Sequence, residues 1–388
     1  MKGALFLASS HARHHKVRSL LFVLLSFVSI VIPLTTNELS GSFAKSLRAR
    51  ADSTPLVVGS KGSRFDLVMS ALYFRTAQPD PITFDDAREL AGLVTGEVIP
   101  LRLGHAARGL PLVCTTPDYF TFRGLTLRDG TLPQHVGEVV LGSEAAERLG
   151  LATGAEIFSD PSDMFNLAKE ASLRMRVVGV LEPRSATDNG AIFGDLKTAW
   201  VLEGYGHAHA AAEAVPDALV LEKSATGPVI SESLVADNTF SAENAARFHL
   251  HATEAELPLS AAIVVPRDAK EFSLLKARTN ADERTLAVSP SVVVEEMLTY
   301  VARIQSLVDG LSVLLACSTV IGLALVSTLA AKVREREILT LTRIGGSRAF
   351  IRALFAWEIA LLLSAGAAMA VLVWLAVRLA AFDLMKLM

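Results

Sequence analysis

The sequence predicts an α-helical membrane region of three transmembrane helices with a large mixed α/β extracytoplasmic domain inserted after the first. Three observations carry that prediction. Residues 19–36, 310–331 and 359–377 are apolar and free of charge, and a helix needs about 20 such residues to cross a hydrocarbon core. Charged residues, 20% of a chain of 388 that is 51% hydrophobic, gather between the first and second of these runs. Inside that block, β-branched or alternating segments take turns with segments of helical period.

Residues 1–36 are expected to form a cytoplasmic amphipathic tail and the first transmembrane helix, with MKGALFLASS lying along the inner membrane surface. The long basic start, Pro33 at the end of the apolar run, and the lack of a small-x-small site in TTNELSGSFA favour an uncleaved anchor over a signal peptide. Residues 37–303 form the exterior domain. Strands are expected at 56–58, 110–114, 138–142, 173–181, 218–222 and 261–265, and helices at 84–93, 143–150 and 268–279. Ser143 is expected to cap the second of these helices and Gly150 to end it, and GYGHAHAAAEA (204–214) reads as an exposed loop. Ser289 and Pro290 open a stalk helix that runs without a break into the second span, 304–331. Residues 332–352 are a cytoplasmic coupling segment, 353–378 the third span and 379–388 a short outside tail. Loop cations set this orientation: Lys2, Arg13, Lys16 and Arg18 precede the first span, and Lys332, Arg334, Arg336, Arg343, Arg348 and Arg352 fill the connector.

Other chemistry is poorly represented. The net charge of −3 and the lack of a long basic tract point away from nucleic acid, and no G-x-x-x-x-G-K-[ST] or G-x-S-x-G sequence occurs. GSKGS (59–63) reads as a plain strand-to-helix turn, and neither of the later spans offers a polar pathway or an ionisable group mid-membrane. Cys114 and Cys317 fall on opposite sides of the membrane surface and read as packed thiols. His207 and His209 form an H-x-H, with a second at His249 and His251. They are only weak metal candidates, because no Cys and no suitably spaced carboxylate accompanies them.

The connector AKVREREILTLTRIGGSRAFIRA resembles the pattern R-x-R-E-I-x-x-L-R-x-L-G-A-S of the permease family that includes FtsX, the LolC and LolE exporters and MacB. Arg334, Arg336, Glu337, Ile338, Leu341, Gly345 and Ser347 meet the pattern. Thr342, Ile344 and Gly346 depart from it, and Glu358 falls at a following acidic position. TPDYFTFRGLTLRDG, EVVLGSEAAERLG, TGAEI and LRMRVVGVLEP follow in the order of a MacB-type periplasmic core domain.

The resemblance implies the permease subunit of an ABC transporter in a bacterial inner membrane. Such a chain is no enzyme and binds no cofactor directly; ATP and Mg sit on a cytoplasmic ABC ATPase that pushes on the connector. Ile338, Leu341 and Ile344 would form the apolar stripe that docks there. The alternatives are an FtsX-like regulator of an extracytoplasmic partner such as a cell-wall hydrolase, or an exterior enzyme on membrane anchors. The family normally has a fourth span, whereas this sequence stops eleven residues after Val377. The helix is lost, the sequence is truncated, or another chain supplies it. In the last case, a homodimeric or heterodimeric permease would cover the small-residue face of Ser364, Ala367 and Ala368.

Overall fold

The computed structural model describes residues 2–75, 80–161, 173–209, 220–224, 227–230, 236–237, 248–250, 252–333, 339–340, 343, 345 and 347–387. In chain order the elements are α1 (Lys2–His14), α2 (Lys16–Asp52), β1 (Leu56–Ser60), α3 (Arg64–Tyr73), β2 (Ile82–Thr83), α4 (Phe84–Leu93), β3 (Glu97–Ala107) and β4 (Leu110–Thr115). Next come α5 (Pro117–Arg123), β5 (Leu127–Gly130), β6 (Glu138–Leu141), α6 (Ser143–Leu149), β7 (Glu156–Phe158), β8 (Arg174–Leu181), α7 (Ala186–Asn189), β9 (Ile192–Asp195) and α8 (Leu196–Leu202). Then follow β10 (Gly206–His209), β11 (Val220–Ser224), β12 (Gly227–Ile230), β13 (Ala236–Asp237), β14 (Phe248–Leu250), β15 (Pro258–Leu259) and β16 (Ala261–Val265). The last are α9 (Ala269–Ala281), β17 (Thr285–Val288), α10 (Pro290–Val333) and α11 (Arg348–Leu387). They form two compact units, Met1–Ser46 with Glu296–Met385, and Leu47–Glu295 with Lys386–Met388.

The first unit is helical. Among the described residues, three helices contain windows long and apolar enough to cross a membrane, within Lys16–Asp52, Pro290–Val326 and Ala349–Leu379. Pro33 removes one backbone donor from α2, yet the helix runs through it. Cys317 is exposed on α10, not packed as expected; a thiol is apolar enough to stand on a helix face built for lipid.

The second unit is built on a ten-stranded sheet of order β17-β1-β16-β3-β4-β9-β6-β8-β5, with β7 sharing the far edge of β8. The pairings are antiparallel except β4 with β9 and β6 with β8. Sequence reading missed β3 because Pro100 and Gly104 interrupt it. Pro100 turns its carbonyl to the Thr115 hydroxyl (2.9 Å), the last residue of β4, so its missing donor faces a strand that has already ended. Gly104 sits at φ +98, where the register against β4 shifts between Arg102 and His105 and a bulge bends the strand.

Among the described residues, three buried clusters pack parts of this unit. Leu56, Val58, Leu90, Val264 and Leu275 pack β1 and β16 under α4 and α9. Ile82, Leu196, Trp200, Leu257 and Ala262 form a second cluster, in which the Trp200 indole donates to the Pro258 carbonyl at 2.9 Å. A third spans β4, β6 and β8.

Two local expectations are corrected. Ser143 is the first residue of α6, and Gly142 is the cap, without a side-chain bond. The helix starts one residue early because Gly142 adopts the extended cap conformation itself. Residues 206–209 form β10, which is paired on both edges, where a loop was expected. The partners arrive from distant sequence, so alternation over four residues carried no visible signal. The GSKGS turn is as expected: Ser63 caps α3 by accepting from the Asp66 amide at 3.2 Å.

Candidate functional site

Of the expected coupling residues, Arg334, Arg336, Glu337, Ile338, Leu341 and Ile344 lie outside the described residues. Gly345 and Ser347 are described. Gly345 takes φ +97, where a side chain would be strained. The Ser347 hydroxyl accepts from the Phe350 amide at 3.1 Å and its carbonyl from Ile351 at 3.2 Å. The connector therefore ends in a glycine turn and a serine cap that launch α11.

On α11, Glu358, Leu362, Gly366 and Ala370 are buried. A spacing of four places them on one helix face. A Cβ on Gly366 would fall 2.7 Å from the Ser26 Cβ and 2.8 Å from the Val23 carbonyl, so α2 and α11 pass in near-backbone contact. Ser364 and Ala368 are exposed and Ala367 is half-buried, off that contact face. Glu358, the acidic position that follows the connector, sits one residue before the apolar run, is 6% exposed, and accepts from the Arg18 guanidinium and from His11 Nδ1 at 3.1 Å. A carboxylate this poorly solvated requires such partners, and they come from α1 and α2.

In the second unit the charged centre is the end of α2. Arg50, 8% exposed, grips Asp188 with both terminal nitrogens, Nη1 to Oδ2 at 2.6 Å and Nη2 to Oδ1 at 2.9 Å. It also donates to the Tyr119 hydroxyl at 2.8 Å, to Ser185 at 3.1 Å and to the Leu72 carbonyl. Tyr119 and Ser185 donate in turn to Asp188 at 2.8 and 2.6 Å. Burial alone would raise the Asp188 pKa, but the Arg50 charge and these donors hold it down at about 2. Burial pushes Tyr119 up to about 12. Nearby, Arg48 takes Glu295 bidentately at 2.9 and 3.0 Å. Arg50, Tyr119 and Asp188 stand 69 and 138 residues apart along the chain, and no motif spacing links them.

In the second unit His105 pairs with Glu203 at 2.7 Å, beside Arg102, and His135 with Glu138 at 3.4 Å. Among the side chains described, no group of three His, Cys, Asp or Glu could hold a metal. Of His207 and His209 the backbone is described, in β10.

Long apolar helices joined to a mixed α/β sheet unit define a membrane protein with an extramembrane domain. The family model of the MacB-like periplasmic core domain matches residues 24–222, just over half of the chain, and the chain belongs to that family of ABC-transporter-type permeases. Among solved structures it is similar to the periplasmic region of MacB from Actinobacillus actinomycetemcomitans, at 12% identity over 63% of this chain and 92% of that one, with a TM-score of 0.36. It is also similar to the extracellular domain of the noncanonic ABC-type transporter YknZ from Gram-positive bacteria, at 13% identity over 60% and 98% of the two chains, with a TM-score of 0.34. A search of curated proteins returns no match.

Proposed function

We propose that this chain is the membrane subunit of an ABC transporter, passing ATPase-driven motion from the connector to the exterior domain for export or extraction of a substrate. The observation that carries the reading is α10. It is one continuous helix from Pro290, two residues after β17, to Val333 at the connector, roughly 65 Å at 1.5 Å per residue. Continuous hydrogen bonding makes such a helix stiff along its axis, and a stiff rod transmits displacement. ATP and Mg belong to a separate cytoplasmic ATPase docked on Arg334, Arg336, Glu337, Ile338, Leu341 and Ile344. A second permease chain would cover the Ser364 and Ala368 face.

The test is the paired substitution Glu337→Arg and Leu341→Asp. It is expected to abolish recovery of an ATPase with the purified protein while membrane insertion is unchanged; unaltered recovery would reject the docking site.

Orientation has its own test. The chain is placed as multi-pass in a bacterial inner membrane, with its connector in the cytoplasm. A reporter active only in the cytoplasm should work when inserted at Gly346 and fail at Gly109, in the β3–β4 turn. The reverse pattern would invert the topology.

A further inference from the structure

We propose that α1 and the start of α2 form a docking surface for acidic phospholipids of the leaflet that α2 enters. A bend at His15 creates it. The Ser19 hydroxyl donates to the Ala12 carbonyl, seven residues back, at 2.9 Å, whereas seven residues of straight helix rise about 10 Å. α1 therefore leaves the axis of α2. Among the described residues of α1, Ala8 and Ala12 are buried. His11 reaches Glu358 from the same side, and Ala12 belongs to a cluster with Phe22 and Leu362. Packing thus settles which face of α1 is left outward. Phe6, 74% exposed, and Leu7 stand on that face. Seven residues further on, along the same two strips of the helix, exposed Arg13 and His14 follow them. Exposed Lys16 opens α2 beside them.

An apolar end joined to a basic end suits the boundary of a bilayer, where apolar side chains enter the acyl region and cations stay among the headgroups. Charge decides which headgroups. No Asp or Glu precedes Glu38 in the sequence, and Glu358, which reaches α1 from α11, is taken by Arg18 and His11. Among the described residues no carboxylate pairs with Arg13 or Lys16, so their counter-charge is left to lipid phosphate. Each such cation near an acidic membrane surface contributes about fivefold to binding. Binding of this kind requires only that α2 and α11 cross a bilayer, and is independent of ATPase docking.

The experiment places a fluorophore on Ser10→Cys, exposed on α1, in the full-length protein with Cys317→Ser; Cys114 is buried and stays unlabelled. The protein is held in phosphatidylcholine bilayers, and nitroxide-labelled phosphatidylglycerol or phosphatidylcholine is added as quencher. Phosphatidylglycerol should quench saturably, with half-saturation at a mole fraction at least about tenfold lower than phosphatidylcholine requires, a conservative figure for two cations. Arg13→Gln with Lys16→Gln should remove most of that preference. Arg378→Gln, whose charge faces Glu38 at 3.8 Å, should leave it intact. Sodium chloride at about 0.5 M should weaken it by screening, and inorganic phosphate of equal ionic strength should weaken it no further, which separates a bilayer lipid from a free anion. Membrane insertion and thermal unfolding check each variant; if the double variant does not insert, Arg13→Gln alone should lower the preference about fivefold. Equal quenching by the two lipids, a preference that survives the Arg13 and Lys16 substitutions, or specific displacement by inorganic phosphate overturns the proposal.

Discussion

Replacing Arg50 with alanine is expected to destabilise the sheet unit by about 3–5 kcal/mol, because it leaves the Asp188 carboxylate buried without its counter-charge. The magnitude rests on burial: Arg50 and Asp188 side chains are 7% and 2% exposed, so water does not replace the lost partner. Asp188→Asn should cost a similar amount by orphaning the guanidinium. In thermal unfolding of the full-length protein either change should lower Tm on the order of 10 °C. Arg48→Ala is the control, since its ion pair with Glu295 is exposed on both sides (49% and 60%) and such pairs contribute at most about 1 kcal/mol. An equal loss at both arginines would refute the special status of Arg50.

The same pair fixes a pH dependence. The Asp188 pKa is depressed in the folded protein, from 3.8 to about 2. Its contribution is therefore complete above the unfolded value and is lost as pH falls from about 4 toward 2. In Asp188→Asn that segment of the acid transition should disappear.

The second large effect is expected at Gly366. Valine there places carbon against the Ser26 Cβ and the Val23 carbonyl, at 2.7 and 2.8 Å, and the obstacle includes backbone that cannot rotate away. Forced separation of α2 and α11 should cost about 1–3 kcal/mol, the usual range for overpacking. It should also lengthen the spacing between spin labels on exposed Leu24 and Leu372 in a Cys317→Ser background. Gly322→Val on α10 meets nothing within 4 Å and should leave both unfolding and spacing unchanged. A Gly366 variant indistinguishable from the Gly322 variant would show that the close crossing is not required.

Much of the architecture was legible along the chain. The apolar runs announce membrane helices because lipid tolerates no unpaired charge and demands a helix of fixed length. The start of α10 is written in Ser289 and Pro290, whose cap carbonyl and fixed φ suit a first turn; the Ser289 carbonyl does accept from Val293 at 3.4 Å. Strand β16 was placed at its observed limits because five apolar residues between turns can be little else in a sheet buried on both faces. The ordered core-domain segments and the connector pattern pointed to the family.

What only the tertiary structure decided are the encounters between residues far apart in sequence. Nothing along the chain predicts that Arg50 meets Asp188, that Glu358 is neutralised from α1 and α2, or that Gly366 rather than Ser364 marks the close helix crossing. Each depends on which faces meet, and one helical turn holds several equivalent faces until packing selects among them. Strand pairing makes the same point: residues 207 and 249, some forty apart along the chain, stand opposite each other only because β10 and β14 adopt that antiparallel register. Local periodicity determines which segments fold as helix or strand; the pairing of strands and helix faces is a long-range choice, and the Arg50 and Glu358 clusters rest on that choice.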